Sequence, residues 1–368
     1  MGDRRDFLKR TAALATAVGV RDLSLSAQAR AAMPTPRASA FMAAFGLKYP
    51  ICNAGMGTAA SPELVIAVAN AGGLGATGTG LGFGGPVASA ANDAMRQVVT
   101  RIRAGTKGPF AVNYLLAVDP VTLPGALDAG APIIQFAWGI PSAEVTGAIR
   151  RAGAKMGVQV ASAAGARRAL DAGADYLICQ GTEAGGHVQA TTPLYETLQR
   201  VIDMVGAVPV IAAGGIAHGA HIRRALLAGA SGVLVGTRFI ATKEATAHDE
   251  YKTALTRGRA ADTVLTVCFQ DGWTNAPHRV LRNQTLTMWE AAGCPPPGKR
   301  PGEGDVISTH VTTGVPKLRY RTSMPYPTDR GNVTDLALYA GTGVDAVRDI
   351  PSAGELLPRL WKECLDAG

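Results

Sequence analysis

The sequence predicts an α/β chain folded as a single (β/α)8 barrel of the TIM type, with a C-terminal extension. Three observations carry this. Ala-rich helical stretches repeatedly stop at a glycine and hand over to a β-branched run. Eight such runs can be counted. They occupy about 210 residues, the size of this barrel. A doubly wound open sheet is the alternative. The count of eight, and the lack of GxGxxG after the first run, favour the barrel.

The first strand is expected over 49–55 and is followed by a helix over 61–71. That helix ends in AsnAlaGlyGlyLeuGlyAlaThrGly, which supplies the second strand, 73–78. A helix over 87–104 leads to the third strand, 110–115, and a helix over 120–129 to the fourth, 132–138. The join begins at Asp128 as AspAlaGlyAlaProIleIleGln. The same punctuation recurs at Arg151, Asp171 and Leu227. It separates helices 141–152, 163–172 and 217–228 from strands 156–161, 175–180 and 232–236. A helix over 193–206 precedes the seventh strand, 208–213, and one over 240–257 follows the eighth. Glycine just past a helix end adopts the left-handed conformation that caps it cheaply. The strands are apolar throughout, as parallel strands covered by helices must be. The barrel is assigned 45–260 and 335–366, with 261–334 as a loop-rich lid.

Of 368 residues, 47% are hydrophobic, 36 are basic and 28 acidic, giving a formal net charge of +8. No basic block with interleaved aromatics occurs, so nucleic acid is not an expected partner. The basic balance favours small anionic ligands. No apolar run reaches bilayer-spanning length. The five cysteines show neither CxxC nor metal-ligand spacing, so neither a disulfide framework nor a metal site is expected. Residues 1–32 combine Arg4 and Arg5 with PheLeuLys, a short apolar stretch and AlaGlnAla. This is the pattern of a cleaved signal peptide and resembles the twin-arginine type, implying a periplasmic location; without a working leader the protein stays cytoplasmic. A homodimer is compatible with the sequence.

Chemistry in such barrels gathers where the strands end. After the sixth strand come Gln180, Gly181, Thr182, Glu183, Ala184, Gly185, Gly186 and His187, far more polar than a plain connector. Gly214 and Gly215 follow the seventh strand, and Gly236 and Thr237 the eighth. Glycines in these two loops let backbone amides approach an anion, the usual phosphate site of the fold.

These segments resemble the nitronate monooxygenase family, formerly the 2-nitropropane dioxygenases. The matching pieces are ProIleCysAsnAlaGlyMetGly (50–57), AsnAlaGlyGlyLeuGly (70–75), PheAlaValAsn (110–113), GlnGlyThrGluAlaGlyGlyHis (180–187) and ValIleAlaAlaGlyGlyIle (210–216). GlyThrArgPheIleAlaThrLysGlu (236–244) and TyrAlaGlyThrGlyVal (339–344) complete the set. The resemblance implies an FMN cofactor. Asn113 and Gln180 would bond the ring edges, with Gln159 as a further ring contact. Ala54, Gly55, Met56 and Gly57 would pass their backbone against the ring. Gly185, Gly214, Gly215, Gly236 and Thr237 would complete the cofactor site. His187, on a loop expected to face solvent, would be the catalytic group. Glu183 would either tune it or accept backbone amides as a structural carboxylate. The chain departs from the family pattern at Val188, Gln189 and the following ThrThrPro.

The implied reaction is oxidation of an alkyl nitronate by O2 to a carbonyl compound and nitrite, with His187 removing the α-proton when the neutral nitroalkane is used. An NAD(P)H-dependent reductase of quinones or enoyl thioesters is the alternative, and a flavin-binding protein without turnover a third reading. Chemistry through a nucleophilic cysteine is disfavoured, because Cys52 and Cys179 sit within strand runs and read as small core residues.

Overall fold

A computed structural model describes residues 33–79, 88–118 and 120–368; the leader expected at 1–32 lies outside the described residues. The eight expected parallel strands form: β1 (Ile51–Asn53), β2 (Gly75–Gly78), β3 (Phe110–Leu115), β4 (Ile133–Ala137), β5 (Lys155–Val160), β6 (Tyr176–Gln180), β8 (Val210–Ala213) and β9 (Gly232–Val235). They pair in the order β1-β9-β8-β6-β5-β4-β3-β2. A parallel bridge between Cys52 and Leu74 brings β1 back to the entrance of β2, closing the barrel.

That seam depends on one side chain. Asn53 is fully buried, its Nδ2 donating to the Ala76 carbonyl at 2.7 Å and its Oδ1 accepting from Ala76 N at 2.9 Å. The carboxamide thus supplies the donor and acceptor that a longer β1 would have offered β2.

The helices lie where expected: α2 (Pro62–Ala71), α3 (Ala88–Gly105), α4 (Leu123–Asp128), α5 (Ala143–Arg151), α6 (Ala163–Asp171), α7 (Leu194–Val205) and α8 (Gly219–Leu227). One expectation needs correction. The helix predicted over 240–257 is two pieces, α9 (Thr237–Ile240) and α10 (Asp249–Arg257). The break is local chemistry. Thr242 Oγ1 donates to the Phe239 carbonyl at 2.7 Å, and the His248 ring caps α10 by accepting from Glu250 N at 3.1 Å. Side chains that bond nearby backbone end helices in this way.

A helix outside the sequence expectations, α1 (Pro36–Phe45), plugs the bottom of the barrel. Its Phe41 and Phe45 rings pack on Tyr176 of β6, the latter edge-on at 5.2 Å. Cys52, Ala76, Ala111, Ile133, Ile178 and Ile211 fill the interior around them. α12 (Ala353–Asp366), begun by a Ser352–Glu355 capping box, packs on α8 and α2.

The segment expected as a loop-rich lid holds regular structure. β10 (Thr263–Thr266) and β11 (His278–Leu281) form an antiparallel pair, to which β7 (Gly186–His187) adds itself with His187 opposite His278. α11 (Gln284–Ala291) follows, and β12 (Val306–His310), β13 (Pro316–Leu318) and β14 (Asp329–Gly331) make a second small sheet.

Replacing Asn53 with alanine strands a buried N–H and a buried carbonyl at the seam. Unsatisfied groups of this kind cost about 1–3 kcal/mol each. Asn53→Ala should therefore lower unfolding free energy by about 2 kcal/mol or more, measured in urea. An unchanged midpoint and slope would show that the seam does not need the carboxamide.

Candidate active site

A cavity of about 350 Å³ opens where the strands end. All thirteen residues expected from the sequence line it: Ala54, Gly55, Met56 and Gly57 after β1, Asn113 on β3, Gln159 on β5, Gln180, Gly185 and His187 from β6 onward, Gly214 and Gly215 after β8, and Gly236 and Thr237 after β9. Barrel geometry explains the convergence, since parallel strands deliver all their C-terminal ends to one rim.

Two carboxamides organise the rim. Gln180 donates from Nε2 to the His187 carbonyl at 3.2 Å, and its Oε1 accepts from Gln189 N at 2.9 Å. Gln180 is therefore already committed to the loop it precedes, with one N–H left over. Gln189, at the departure from the family pattern, continues the lacing. Its Nε2 donates to the Gln159 carbonyl at 3.2 Å, and its Oε1 accepts from Trp138 N at 2.9 Å. Trp138 holds a φ of 62°, a conformation a bulky residue adopts only when its surroundings impose it. Asn113, by contrast, has no side-chain hydrogen bond among the described residues and offers its carboxamide to the cavity. Gly55 is what lets the first loop lie against it, because a Cβ there would come 2.5 Å from Asn113 Cβ.

At the opposite end the amides of Gly215, Gly236 and Thr237 donate to no group among the described residues. A strap from the C-terminal region covers them. Gly341 N donates to Thr237 Oγ1 at 3.0 Å and Thr342 N to the Glu183 carbonyl at 3.0 Å. The approach requires glycine on both sides. A Cβ on Gly185 would sit 2.4 Å from Gly341 N, and one on Gly341 would sit 2.7 Å from the Glu183 carbonyl oxygen. The Glu183 carboxylate accepts from Leu194 N at 2.9 Å, so it caps α7 and the structural alternative is the one observed. Arg238 is turned away from the cavity into a buried contact with Asp349.

His187 corrects an expectation. It lies on β7, not on a solvent-facing loop, and is enclosed by rings. Trp273 stacks on it at 4.3 Å, His278 lies at 5.4 Å, Tyr339 at 5.6 Å and Trp138 at 6.4 Å. Arg279 clamps the loop from behind, donating to the Thr182 carbonyl from Nε at 3.1 Å and Nη2 at 2.8 Å. Sequence reasoning missed Trp138, Trp273, Thr322, Tyr339 and Gly341. The paired glycines of residues 339–344 carried a signal for the last. Tyr339 opens that same stretch and Trp138 directly follows β4, whereas Trp273 and Thr322 come from the 261–334 segment, which no local pattern ties to the rim.

Hydrogen accounting assigns the ring protons. The single Tyr339 hydroxyl proton goes to the Thr322 carbonyl at 2.6 Å, so the 2.9 Å contact between the two hydroxyls is donated by Thr322. Thr322 Oγ1 then accepts, at 3.4 Å, from His187 Nε2, which leaves the lone pair on Nδ1. Burial first, then the neighbouring His278, pushes the His187 pKa from 6.5 down to about 3. His278 is also held below its ordinary value by burial; Phe269 N donates to its Nε2 at 3.1 Å, a bond that needs the neutral ring. The site thus presents a neutral imidazole able to accept a proton, open amides able to bind an anion, and a free carboxamide between them.

The chain is similar to known proteins over most of its length. The family described as nitronate monooxygenase matches residues 38–126 and 121–363. A nitronate monooxygenase of Pseudomonas aeruginosa is 30% identical over 88% of this chain and 98% of its own. A (3aS,4S,5R,7aS)-5-hydroxy-7a-methyl-1-oxo-octahydro-1H-indene-4-carboxyl-CoA dehydrogenase of Mycobacterium tuberculosis is 35% identical over 67% of this chain and 66% of its own. The solved structure of a nitroalkane oxidase from Streptomyces ansochromogenes superposes with a TM-score of 0.70 at 30% identity, covering 89% of this chain and 98% of that one.

The desolvated histidines generate a pH dependence. In the unfolded chain a histidine titrates near 6.5, whereas folded His187 does so at about 3 and folded His278 and His221 lie below their ordinary value. Below pH 6.5 the unfolded state binds more protons, so stability is full above that pH and is lost progressively as pH falls toward about 3. Melting temperature should drop between pH 7 and pH 5, and His187→Gln should flatten that slope. A slope unaltered by the substitution would mean that His187 titrates normally in the folded protein.

Proposed function

The chain belongs to the nitronate monooxygenase family, and from that premise we propose that it binds FMN and oxidises alkyl nitronates with O2 to a carbonyl compound and nitrite. The observation that carries the reading is the neutral, enclosed imidazole of His187 facing a cavity whose far end offers unpaired amides. Bound FMN would supply the redox chemistry, taking electrons from the substrate and passing them to O2.

The residues present fit that group. The amides of Gly215, Gly236 and Thr237, with Gly214 beside them, suit a phosphate. Asn113, Gln159 and the remaining N–H of Gln180 suit the polar edges of the ring, and residues 54–57 and Gly185 its face. The strap at Gly341 closes the phosphate end, which supports a mononucleotide over a dinucleotide. His187 then has two tasks. It lies beside the nitronate anion, and for the neutral nitroalkane its Nδ1 lone pair takes the α-proton. An imidazole with so low a pKa is a weak base alone. An anion forming beside it in a water-poor site favours the protonated ring, so transfer and charge formation assist each other. The aromatic walls and the β7–β11 pairing hold the imidazole against rotation.

Anaerobic mixing with a nitronate should bleach the flavin absorbance, and readmitted air should restore it with release of nitrite. Bleaching by NADH or NADPH, with no response to nitronate, would instead favour the reductase reading. His187→Ala should retain FMN. Because a positioned acid–base group is worth on the order of 10²–10⁴ in rate, turnover of neutral nitroalkane should fall by that factor, and turnover of preformed nitronate by less. Normal rates with both forms would make the imidazole structural.

Residues 1–32 are read as an export signal that delivers the enzyme to the periplasm. Arg4→Lys together with Arg5→Lys should leave the precursor uncleaved in the cytoplasmic fraction. Identical fractionation of wild type and double variant would refute export by this route.

A further inference from the structure

Resting on that reading of the reaction, we propose that Gln189 is a positioning residue: it locks the Trp138 backbone in the left-handed region and so keeps two indoles closed around His187. The position lies where the chain departs from the family pattern. Three observations carry this.

The first is reach. Gln189 touches the ends of three successive barrel strands. Its Oε1 accepts from Trp138 N, just past β4, at 2.9 Å, and its Nε2 donates to the Gln159 carbonyl on β5 at 3.2 Å. Its own N donates to Gln180 Oε1, at the end of β6, at 2.9 Å. The preceding Val188 is buried, and its N donates to the Pro277 carbonyl at 2.8 Å. The carboxamide therefore projects from a fixed main chain.

The second is the conformation it secures. Trp138 has a φ of 62°, a region that a bulky residue enters at a cost and holds only when its surroundings fix it. The bond from Trp138 N to Gln189 Oε1 ties the chain at that strained peptide. Released from it, Trp138 relaxes toward ordinary extended backbone, and its ring leaves the cavity wall.

The third is what the ring does there. Trp138 meets Trp273 edge-on with centroids 4.8 Å apart, and Trp273 stacks on His187 at 4.3 Å. Trp138 also lies edge-on to His187 at 6.4 Å. One indole thus braces the other against the imidazole. The titratable groups in ring contact with His187 are His278 and Tyr339. Both are neutral: Phe269 N donates to His278 Nε2, and burial holds the Tyr339 hydroxyl well above its ordinary value. Water admitted past Trp138 therefore changes one thing, the desolvation that keeps His187 uncharged.

The test follows the His187 ring by NMR in the flavin-loaded protein, its resonance assigned by His187→Gln. Wild type is compared with Gln189→Met, Trp138→Leu and the double variant. Methionine keeps the length and volume of glutamine but offers Trp138 N no comparable acceptor. The wild-type resonance should stay constant from about pH 8 to about pH 5, and those of both single variants should move within that window. If Gln189 acts through Trp138, the double variant should titrate like Trp138→Leu alone, because changes along one path do not add. Turnover of neutral nitroethane should follow. The ratio of Gln189→Met to wild-type kcat/KM should fall by at least about threefold between pH 8 and pH 5, since a protonated ring accepts no proton. Gln189→Asn, one methylene too short to reach both partners, is read in the same way if the methionine variant does not fold. A resonance that stays constant in the Gln189 variant overturns the proposal, as does a wild-type resonance that already moves. Shifts that add in the double variant overturn it as well. Movement of the resonance with no oxidation of nitroalkane or nitronate by any form would refute the proposed reaction and leave the role of Gln189 standing.

Discussion

The pairing of residues 186–187 with 278–279 is the constraint on which the rest of the site depends. Without it the seven residues from Gly181 to His187 would form a glycine-rich connector at a barrel mouth. With it Gly186 and His187 become the third strand of a small sheet whose other two strands are Thr263–Thr266 and His278–Leu281, and His187 is enclosed among rings. Burial keeps that imidazole neutral. Gln180 and Gln189 lace the same loop back onto β5 and β4, and Arg279 fastens it from the far side. A single long-range strand addition thus sets position, protonation and enclosure together.

Close backbone packing is the second theme. At Gly185 and Gly341 two chain segments approach within a distance that no Cβ would permit, and this lets the strap lie over the amides of the β8 and β9 loops. The barrel strands are buried on both faces. The 261–334 segment is tied to it by the Arg279 bonds to the Thr182 carbonyl and by Val188 N donating to the Pro277 carbonyl, so the cavity is defined by long-range contacts as much as by the barrel itself.

Much of this was legible in the sequence. Helix stops followed by apolar runs are local signals, and local signals located all eight barrel strands. The same logic placed thirteen residues on one rim, because strand ends in a barrel converge whatever the detail. Other features were hidden for physical reasons. Asn53 reads as an ordinary polar residue until its carboxamide is found bridging a seam. Helix α1 lies before the first repeat, and the break between α9 and α10 depends on how Thr242 and His248 bond to nearby backbone. The aromatic wall was only partly legible. Trp138 ends the expected fourth strand and Tyr339 opens the 339–344 stretch, but Trp273 lies in the 261–334 segment, and no local pattern places it on His187.

The central claim is that enclosure holds His187 neutral with its lone pair on Nδ1. The most direct measurement is a nitrogen-15 NMR titration of histidine-labelled protein, with the His187 resonances assigned by His187→Gln. The account predicts the shift pattern of a neutral ring protonated at Nε2, unchanged from pH 8 down to about pH 5, consistent with a pKa near 3. A ring that titrates near the ordinary value of about 6.5, or that carries its proton on Nδ1, would contradict it.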